Sequence, residues 1–180
     1  MFKFHFTSML VLASLIAIAG CSRPSTEPDL TLRPSPEGEK LFLASSPANH
    51  QTVIQARETA KDGDEVAVLG RIGGSVSPWV DGRATFTIVD PTLTACSDKP
   101  GASCGTPWDY HQEADKLPAS IATVKFLDDS GKDLEIDARS LLAVKELTSI
   151  VVTGKARRDG AGNLTVLASG VFVQPESGAK

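Results

Sequence analysis

Apolar side chains recur at every second position through much of the chain after Glu65, and this alternation constrains the fold more than any other feature. In the first such segment, Val66, Val68 and Ile72 share one face, with Gly70 between them. A period of two predicts strands that bury one face. The pattern predicts strands over five segments: 65–72, 84–88, 123–127, 149–157 and 164–173.

Turn-forming residues separate these strands. Gly73-Gly74 breaks or bulges the first strand, and Asp90-Pro91 ends the second. Residues 159–163, with the sequence DGAGN, predict a hairpin between the last two strands. Turn-forming residues therefore mark the ends of the predicted strands.

Two helices are predicted outside the strands. One covers residues 47–61, with Ser46 as its N-cap and a proline in its first turn. The other is short, covers residues 138–144 and has Asp137 as its N-cap. The second helix lies between the third and fourth predicted strands.

These elements together resemble an OB-fold, a five-stranded Greek-key barrel. The resemblance rests on the pieces VAVLGRIGG, ATFTIVD, IVVTGKARR and NLTVLASGVFV, and on the position of the short helix. It implies a mainly β, OB-fold-like domain over residues 47–175 that begins with the N-terminal helix. Another small β-barrel or sandwich with the same alternation is the alternative.

The first 20 residues have the parts of a secretory leader: Lys3 near the start and an apolar stretch over residues 6–19. The stretch is too short to span a bilayer, which needs roughly 20 apolar residues. It ends in Ile18-Ala19-Gly20-Cys21, which resembles a bacterial lipobox. That resemblance implies cleavage before Cys21, diacylglycerol and palmitate-type chains on its sulfur and amine, and a membrane partner in the cell envelope. Ser22 then favours the outer membrane, facing the periplasm or the cell surface, over the inner membrane.

Two polar segments flank the predicted domain. Residues 21–46 are rich in proline and serine, which predicts a disordered tether, and residues 176–180 form a polar tail. The whole chain has a formal net charge of −4 and is 6% aromatic. Nucleic acid is therefore an unlikely partner by composition, because such binding uses basic tracks and stacking rings.

The chain is also similar to secreted lipoproteins of planctomycete-like bacteria that carry an OB-fold-like domain. The similarity rests on three segments taken together, GRIGG, FTIVDP and TPWDY. It implies a lipid-anchored envelope protein and no assigned activity.

Residues 91–120, between the second and third predicted strands, lack periodicity and contain Cys96 and Cys104. A loop of this length inside a compact domain is usually functional or disordered. With Cys21 set aside, the other two cysteines form an even pair. Outside the cytoplasm such a pair favours a disulfide that pins the loop.

The alternative for the same loop is a zinc, copper or haem site. Its candidate ligands are Cys96, Cys104, His111 and Asp109, whose thiolate, imidazole and carboxylate groups suit these metals. The spacing of the two cysteines and the histidine matches no known zinc knuckle, so the motif is weak.

OB-folds bind ligands on the face of their second and third strands and on adjoining loops. The candidate ligand-binding residues are Trp108, Tyr110, Arg71, Arg83 and Lys125, with Arg157 and Arg158 on a later strand. A structural interpretation competes with this one. The aromatic rings then close one end of the barrel, and the charged side chains form its solvated side.

No catalytic motif stands out, so the sequence predicts neither an enzyme nor a cofactor. The predicted function is a lipid-anchored envelope module that binds a small molecule, a glycan or a protein. The first alternative is a metal- or redox-active envelope protein that uses Cys96, Cys104 and His111. A more distant alternative is nucleic-acid binding by analogy with the fold.

Overall fold

The structure, a computed structural model, describes Met1 and residues 33–175. The predicted leader, its lipidation site Cys21, the first part of the tether and the whole of the tail lie outside the described residues, and these features stay predictions. The elements are α1 Pro36–Glu39, β1 Gln51–Thr52, α2 Val53–Thr59, β2 Glu65–Ile72, β3 Thr85–Val89, α3 Leu117–Ser120, β4 Ile121–Phe126, α4 Ala138–Leu142, β5 Ser149–Arg158 and β6 Leu164–Val173. Of the helices in this part of the chain, none is long and apolar enough to cross a membrane.

Strands β2 to β6 form a closed barrel. Their order is β2-β3-β4-β6-β5, and β5 pairs again with β2 to close the sheet. All neighbours are antiparallel except β4 and β6, which run parallel. With α4 between β4 and β5, this is the OB-fold connectivity, and the predicted mainly β fold is confirmed.

The alternation of the sequence places one face of each strand in the barrel core. Phe86 and Ile88 of β3, Val124 of β4 and Val152 of β5 are fully buried. Gly70 allows β2 to approach β3 closely, since a Cβ atom there would lie 2.8 Å from the Cβ of Ile88. The residues of period two therefore form one continuous core, as the pattern predicts.

The loop after β2 forms a small additional ladder on β3. The backbone N–H of Val80 donates to the carbonyl of Thr85 at 3.0 Å, and that of Thr87 donates to the carbonyl of Pro78 at 2.9 Å. Trp79 packs on Phe86 with ring centroids 5.4 Å apart. Its Nε1 donates to Glu146 at 2.6 Å. The loop is thereby fixed to the barrel.

The first predicted helix is shorter in the structure, and this corrects its start at residue 47. Thr52 is the N-cap of α2, and its hydroxyl and the Gln55 side chain form a capping box. His50 falls within the predicted range 47–61, but it precedes the helix and bonds through Nδ1 to the carbonyl of Pro47 at 2.7 Å. A capping box satisfies two backbone N–H groups, whereas Ser46 and proline satisfy fewer, so the helix begins at the better cap.

Residues 35–43, called here the N-terminal strap, pack against the barrel, although the sequence predicts a tether as far as residue 46. Leu43 N–H donates to the carbonyl of Val171, and Val171 N–H donates to that of Leu41, both at 2.8 Å. Gly38 is buried against α4. Its missing side chain makes room for the carbonyl of Leu141, since a Cβ atom would lie 1.7 Å from that oxygen. The strap gains backbone bonds and apolar contacts that its composition alone does not reveal.

Candidate functional site

The outer face of β3 and β4 carries three directly opposed pairs of residues: Val89–Ile121, Thr87–Thr123 and Thr85–Lys125. Their side chains point away from the core because the intervening residues point into it. This is the surface that OB-folds use for ligands, together with the adjoining loops.

An apolar cluster covers one end of this face. Val89, Leu93, Ala95 and Tyr110 form the cluster, and Ile121 packs against it. The middle of the face, around Thr87 and Thr123, stays open. A pocket of about 90 Å³ lies there, lined by Arg57, Thr87, Ile121, Ala122, Thr123, Asn163 and Leu164. The pocket therefore joins α2, the β3–β4 face and the β5–β6 hairpin.

Arg57 brings a positive charge to the pocket from α2. Its Nη1 donates to the carbonyl of Ile121 at 3.0 Å, which directs the side chain along the first residue of β4. Burial, together with the nearby charge of Arg158, lowers the pKa of the Arg57 guanidinium. The group stays protonated at physiological pH, since arginine does not release its proton there.

Arg158 fixes the helix that carries Arg57. Its Nε donates to the carbonyl of Ala60 at 3.2 Å and its Nη1 to that of Gly162 at 3.0 Å. Its Nη2 donates to the carbonyl of Arg57. These bonds satisfy carbonyls at the C-terminal end of α2, where a cation is favourable. The side chain thus joins α2 to the hairpin.

The β5–β6 hairpin supplies Asn163 at the rim of the pocket. Asp159 accepts bonds from the Asn163 backbone N–H at 2.9 Å and from its Nδ2 at 2.8 Å. Hydrogen bonds from Asn163 hold the pKa of Asp159 below its ordinary value. With its amide nitrogen held by Asp159, the Oδ1 atom of Asn163 remains as an acceptor.

The two threonines at the centre have different hydrogen bonds. The Thr87 hydroxyl donates to the carbonyl of Gly73 at 2.7 Å and keeps its lone pairs for a donor. The Thr123 hydroxyl has no bond to any of the residues that the structure describes, and it is half-buried. It can donate to a ligand without breaking an existing contact.

The basic residues singled out from the sequence are mostly neutralised elsewhere. Arg71 pairs with Asp98 at 2.5 Å, Arg83 with Glu135 at 2.9 Å and Lys125 with Asp133 at 3.1 Å. Arg157 pairs with Asp62 at 3.7 Å. Of these four, Lys125 alone belongs to the β3–β4 face, and none lines the pocket.

The two predicted aromatic contacts have structural partners. Tyr110 is 1% exposed and belongs to the apolar cluster at the end of the face. Trp108 is partly exposed and its Nε1 donates to the carbonyl of Val76 at 3.1 Å. Neither ring lines the pocket.

The long loop is held by a disulfide and by backbone bonds. Cys96 and Cys104 are bonded through their sulfur atoms, with their Cα atoms 6.3 Å apart. The Cys96 N–H donates to the carbonyl of Asp109 at 2.9 Å, and Asp98 accepts from the N–H of Ala95 at 3.0 Å. These contacts hold the loop internally, and the pair between Arg71 and Asp98 joins it to β2.

The metal alternative finds no support in this loop. Both candidate thiols are engaged in the disulfide, and His111 Nδ1 lies 3.6 Å from Asp109 Oδ2 as a surface pair. Across Met1 and residues 33–175, no group of three His, Cys, Asp or Glu side chains is placed to hold a metal ion. A zinc, copper or haem site formed by Cys96, Cys104, His111 and Asp109 is therefore not carried further.

No protein-family model matches the chain, and no curated protein matches its sequence. Among solved structures, the chain is similar to a chain of the S. pombe Stn1–Ten1 complex, with 15% identity and a TM-score of 0.34, over 77% of this chain and 85% of that one. It is also similar to the telomere capping protein Ten1 from Saccharomyces pombe, with 14% identity and a TM-score of 0.33, over 74% and 86%. Because these scores are low, the OB-fold assignment rests on this chain's own strand order.

The predicted membership of a bacterial lipoprotein group is corrected here, since both neighbours come from S. pombe and neither is a bacterial secreted lipoprotein. The lipid-anchored envelope function, the membrane as a partner and the outer-membrane or periplasmic location were predicted from the lipobox-like segment as well as from that resemblance, and they are corrected by the same comparison. The prediction that nucleic acid is an unlikely partner is corrected with them, as one of the two neighbours is a telomere capping protein. Neither neighbour is named as an enzyme.

The three segments behind the lipoprotein resemblance have a simpler explanation in the barrel. GRIGG is the end of β2 and its glycine turn, FTIVDP is β3 with its terminating Asp90, and TPWDY supplies the buried Tyr110. Each of the three segments therefore has a structural role in this barrel.

The pocket residues Arg57, Thr87, Thr123 and Asn163 are absent from the sequence-based candidates. The period of two places both threonines on an outer face, which is a signal available from the sequence. Nothing local indicates that Arg57 and Asn163 meet, because α2 and the hairpin are brought together by bonds between residues 101 positions apart.

Proposed function

We propose that this protein is a non-enzymatic OB-fold module that binds single-stranded nucleic acid across the outer face of β3 and β4. One observation carries the proposal. The open middle of the face that OB-folds use for oligonucleotides contains a pocket with a cationic side chain, Arg57, at its edge.

The polar groups around the pocket suit a sugar–phosphate chain. Arg57 supplies a charge and donors for a phosphate, and Thr123 supplies a hydroxyl donor. The Oδ1 atom of Asn163 can accept from a base or a sugar hydroxyl. Lys125, two positions beyond Thr123 on the same face, extends the positive side of the track, although Asp133 offsets part of its charge.

The composition of this face also sets the strength of binding. The outward positions of β3 and β4, all within the described residues, include no aromatic side chain, so bases are held without a stacking platform. With one or two phosphates neutralised, log K falls with log salt at a slope of about −0.7 to −1.4. The module therefore binds weakly and with a shallow salt dependence.

The test is a titration of the full chain with fluorescein-labelled single-stranded DNA and RNA oligonucleotides at low salt, followed by fluorescence anisotropy. We expect saturable binding that Thr123→Glu abolishes, because a carboxylate in the pocket repels phosphate. Ser169→Glu is the matched control, since it adds the same charge on the exposed part of β6. Residue 169 lies four positions, about 13 Å, beyond residue 165, which pairs with Thr123.

Binding with the expected salt slope, lost in Thr123→Glu and kept in Ser169→Glu, supports the proposal. Absence of binding by the folded wild-type chain, or equal loss in both variants, overturns it. Circular dichroism of each variant shows whether the barrel is intact.

A further inference from the structure

We infer that the pocket between α2 and the β3–β4 face is a subsite for a single phosphate group, with Arg57 of α2 as its principal ligand. The inference deepens the proposed function and rests on it for the source of the phosphate. It adds a role for α2, a helix outside the five-stranded barrel.

The first argument is a pair of neighbouring arginines that form no salt bridge within the described residues, although the charge of Asp159 acts on Arg57 from a greater distance. Arg71, Arg83, Arg139 and Arg157 each have a carboxylate oxygen within 4.0 Å. No carboxylate of the described residues lies within that distance of the Arg57 or Arg158 guanidinium. The two cations are neighbours, because Arg158 donates to the backbone carbonyl of Arg57. Two adjacent like charges repel, so an anion bound beside them is stabilised.

The second argument concerns free donors. A guanidinium has five N–H groups, and Arg57 uses one of them on the carbonyl of Ile121. Arg158 directs its donors to three backbone carbonyls and contributes mainly its charge. Arg57, with its remaining donors, and Thr123, with its unbonded hydroxyl, both line the same pocket. Planar guanidinium donors match the oxygens of a phosphate in pairs.

The third argument is size and surroundings. The pocket volume of about 90 Å³ exceeds several-fold the roughly 15 Å³ that one water needs, so an oxyanion has room. The nearest hairpin carboxylate, Asp159, accepts bonds from the N–H groups of Ala161 and Asn163 and from the Asn163 amide. These bonds hold Asp159 in the turn, and its charge weakens the subsite without occupying it.

The experiment is a titration of the ¹⁵N-labelled full chain with inorganic phosphate, followed by NMR at constant ionic strength set with sodium chloride. We expect saturable shifts at the amides of Ile121, Ala122 and Asn163. Arg57→Gln weakens phosphate binding by about tenfold or more, since bonds to a charged group are lost. Thr123→Val, which removes one hydroxyl, weakens it by about two- to fivefold.

The controls separate charge at the subsite from charge in general. Arg157→Gln removes one positive charge from β5, at the residue beside Arg158. Because the Arg157 guanidinium already pairs with Asp62, we expect the phosphate affinity of this variant to stay within about twofold of wild type. Arg57→Lys keeps the charge and restores part of the affinity. If Arg57→Gln does not fold, Thr123→Val still tests the subsite.

The outcomes distinguish this inference from the proposed function. The subsite is overturned if phosphate shifts no amide signal of the wild type, or if Arg57→Gln and Arg157→Gln bind phosphate with equal affinity. The oligonucleotide titration then tests the proposed function independently. Phosphate binding that depends on Arg57, without binding of oligonucleotides, supports the subsite and overturns the proposed function, so the phosphate belongs to a small ligand. Binding of both, with the same dependence on Arg57, supports both.

Discussion

The carboxylate of Asp90, at the end of β3, accepts a hydrogen bond of 2.8 Å from the backbone N–H of Ile54 in the first turn of α2. Asp90 is fully buried, and it also accepts from the backbone N–H of Thr92 at 3.0 Å and from its hydroxyl at 2.7 Å. A buried carboxylate is stable only when its oxygens are satisfied. This residue therefore ties the helix that carries Arg57 to the strand that carries Thr87.

Asp90→Asn replaces two acceptor oxygens by one and leaves the side-chain volume almost unchanged. We expect the free energy of unfolding to fall by about 1–3 kcal/mol, because a buried N–H loses its charged partner. Urea denaturation measures the change. Asp129→Asn is the control, since Asp129 is exposed in a turn, and we expect it to match the wild type. A wild-type value for Asp90→Asn would show that the buried carboxylate contributes nothing.

The carboxylate of Asp90 also predicts that the folded protein loses stability at acidic pH. Burial raises the pKa of Asp90, but hydrogen bonds from Ile54, Thr52 and Thr92 outweigh it and leave the pKa below its ordinary value. A depressed folded pKa gives stability that is complete above the unfolded pKa of about 3.9 and is lost as pH falls through the folded pKa. Urea unfolding between pH 5 and pH 2 is therefore expected to show a smaller loss in Asp90→Asn than in the wild type. Parallel pH profiles for the two proteins would contradict this.

The N-terminal strap depends on Gly38. A Cβ atom at this position would lie 1.7 Å from the carbonyl oxygen of Leu141, so Gly38→Ala forces the strap away from α4. We expect a loss of about 1–3 kcal/mol in unfolding free energy and faster hydrogen exchange at the Leu43 and Val171 amides, which bond across this junction.

Gly160→Ala is a matched control for that substitution. Nothing lies within 4 Å of a Cβ atom built at Gly160, in the β5–β6 hairpin. We expect the control to keep the wild-type exchange rates at Leu43 and Val171. Equal exchange in the two variants would mean that the strap is not docked through Gly38.

The barrel was predictable from the sequence because its determinants are local. The period of two in residues 65–72 indicates β2 with the same bounds as the structure, and the DGAGN turn indicates the hairpin before β6. The outward position of Thr87 and Thr123 follows from the same alternation. Each of these features depends on a few neighbouring residues.

The remaining features depend on contacts between distant parts of the chain. The strap is docked because Leu41 and Leu43 bond to β6, far along the chain, while their own neighbourhood is rich in proline. The pocket requires Arg57 and Asn163 to meet, and Arg158 brings their segments together through carbonyls at the end of α2 and in the hairpin. No sequence pattern within a single segment predicts these contacts.

The Cys96–Cys104 disulfide closes a loop with a sequence separation of 8. A closed loop of this size constrains the unfolded chain by about 2–3 kcal/mol in the chain-entropy model. We expect the wild type to lose about that much on reduction, as measured by urea unfolding with and without dithiothreitol. The double variant Cys96→Ala/Cys104→Ala should be insensitive to the reductant. If dithiothreitol lowered the unfolding free energy of both proteins equally, the loss would not come from the Cys96–Cys104 disulfide.

The hydroxyl of Tyr110 is buried without a hydrogen-bond partner among the described residues, and the side chain is 1% exposed. Removing an unsatisfied hydroxyl costs little, so we expect Tyr110→Phe to change the unfolding free energy by less than about 1 kcal/mol at pH 7, or to raise it. Tyr110→Ala should cost about 3–5 kcal/mol, because it leaves a cavity in the apolar cluster that Tyr110 forms with Val89, Leu93 and Ala95.

Tyr110 also predicts that the folded protein loses stability at alkaline pH. Burial raises the pKa of Tyr110 to about 12. The unfolded chain releases this proton near pH 10, so stability declines as pH rises from about 10 towards 12, and Tyr110→Phe lacks that part of the decline. Tyr110 is the sole tyrosine of the sequence. Titration of the tyrosinate absorbance therefore reports on this one group, and a midpoint near pH 10 in the folded protein would mean that its hydroxyl reaches solvent.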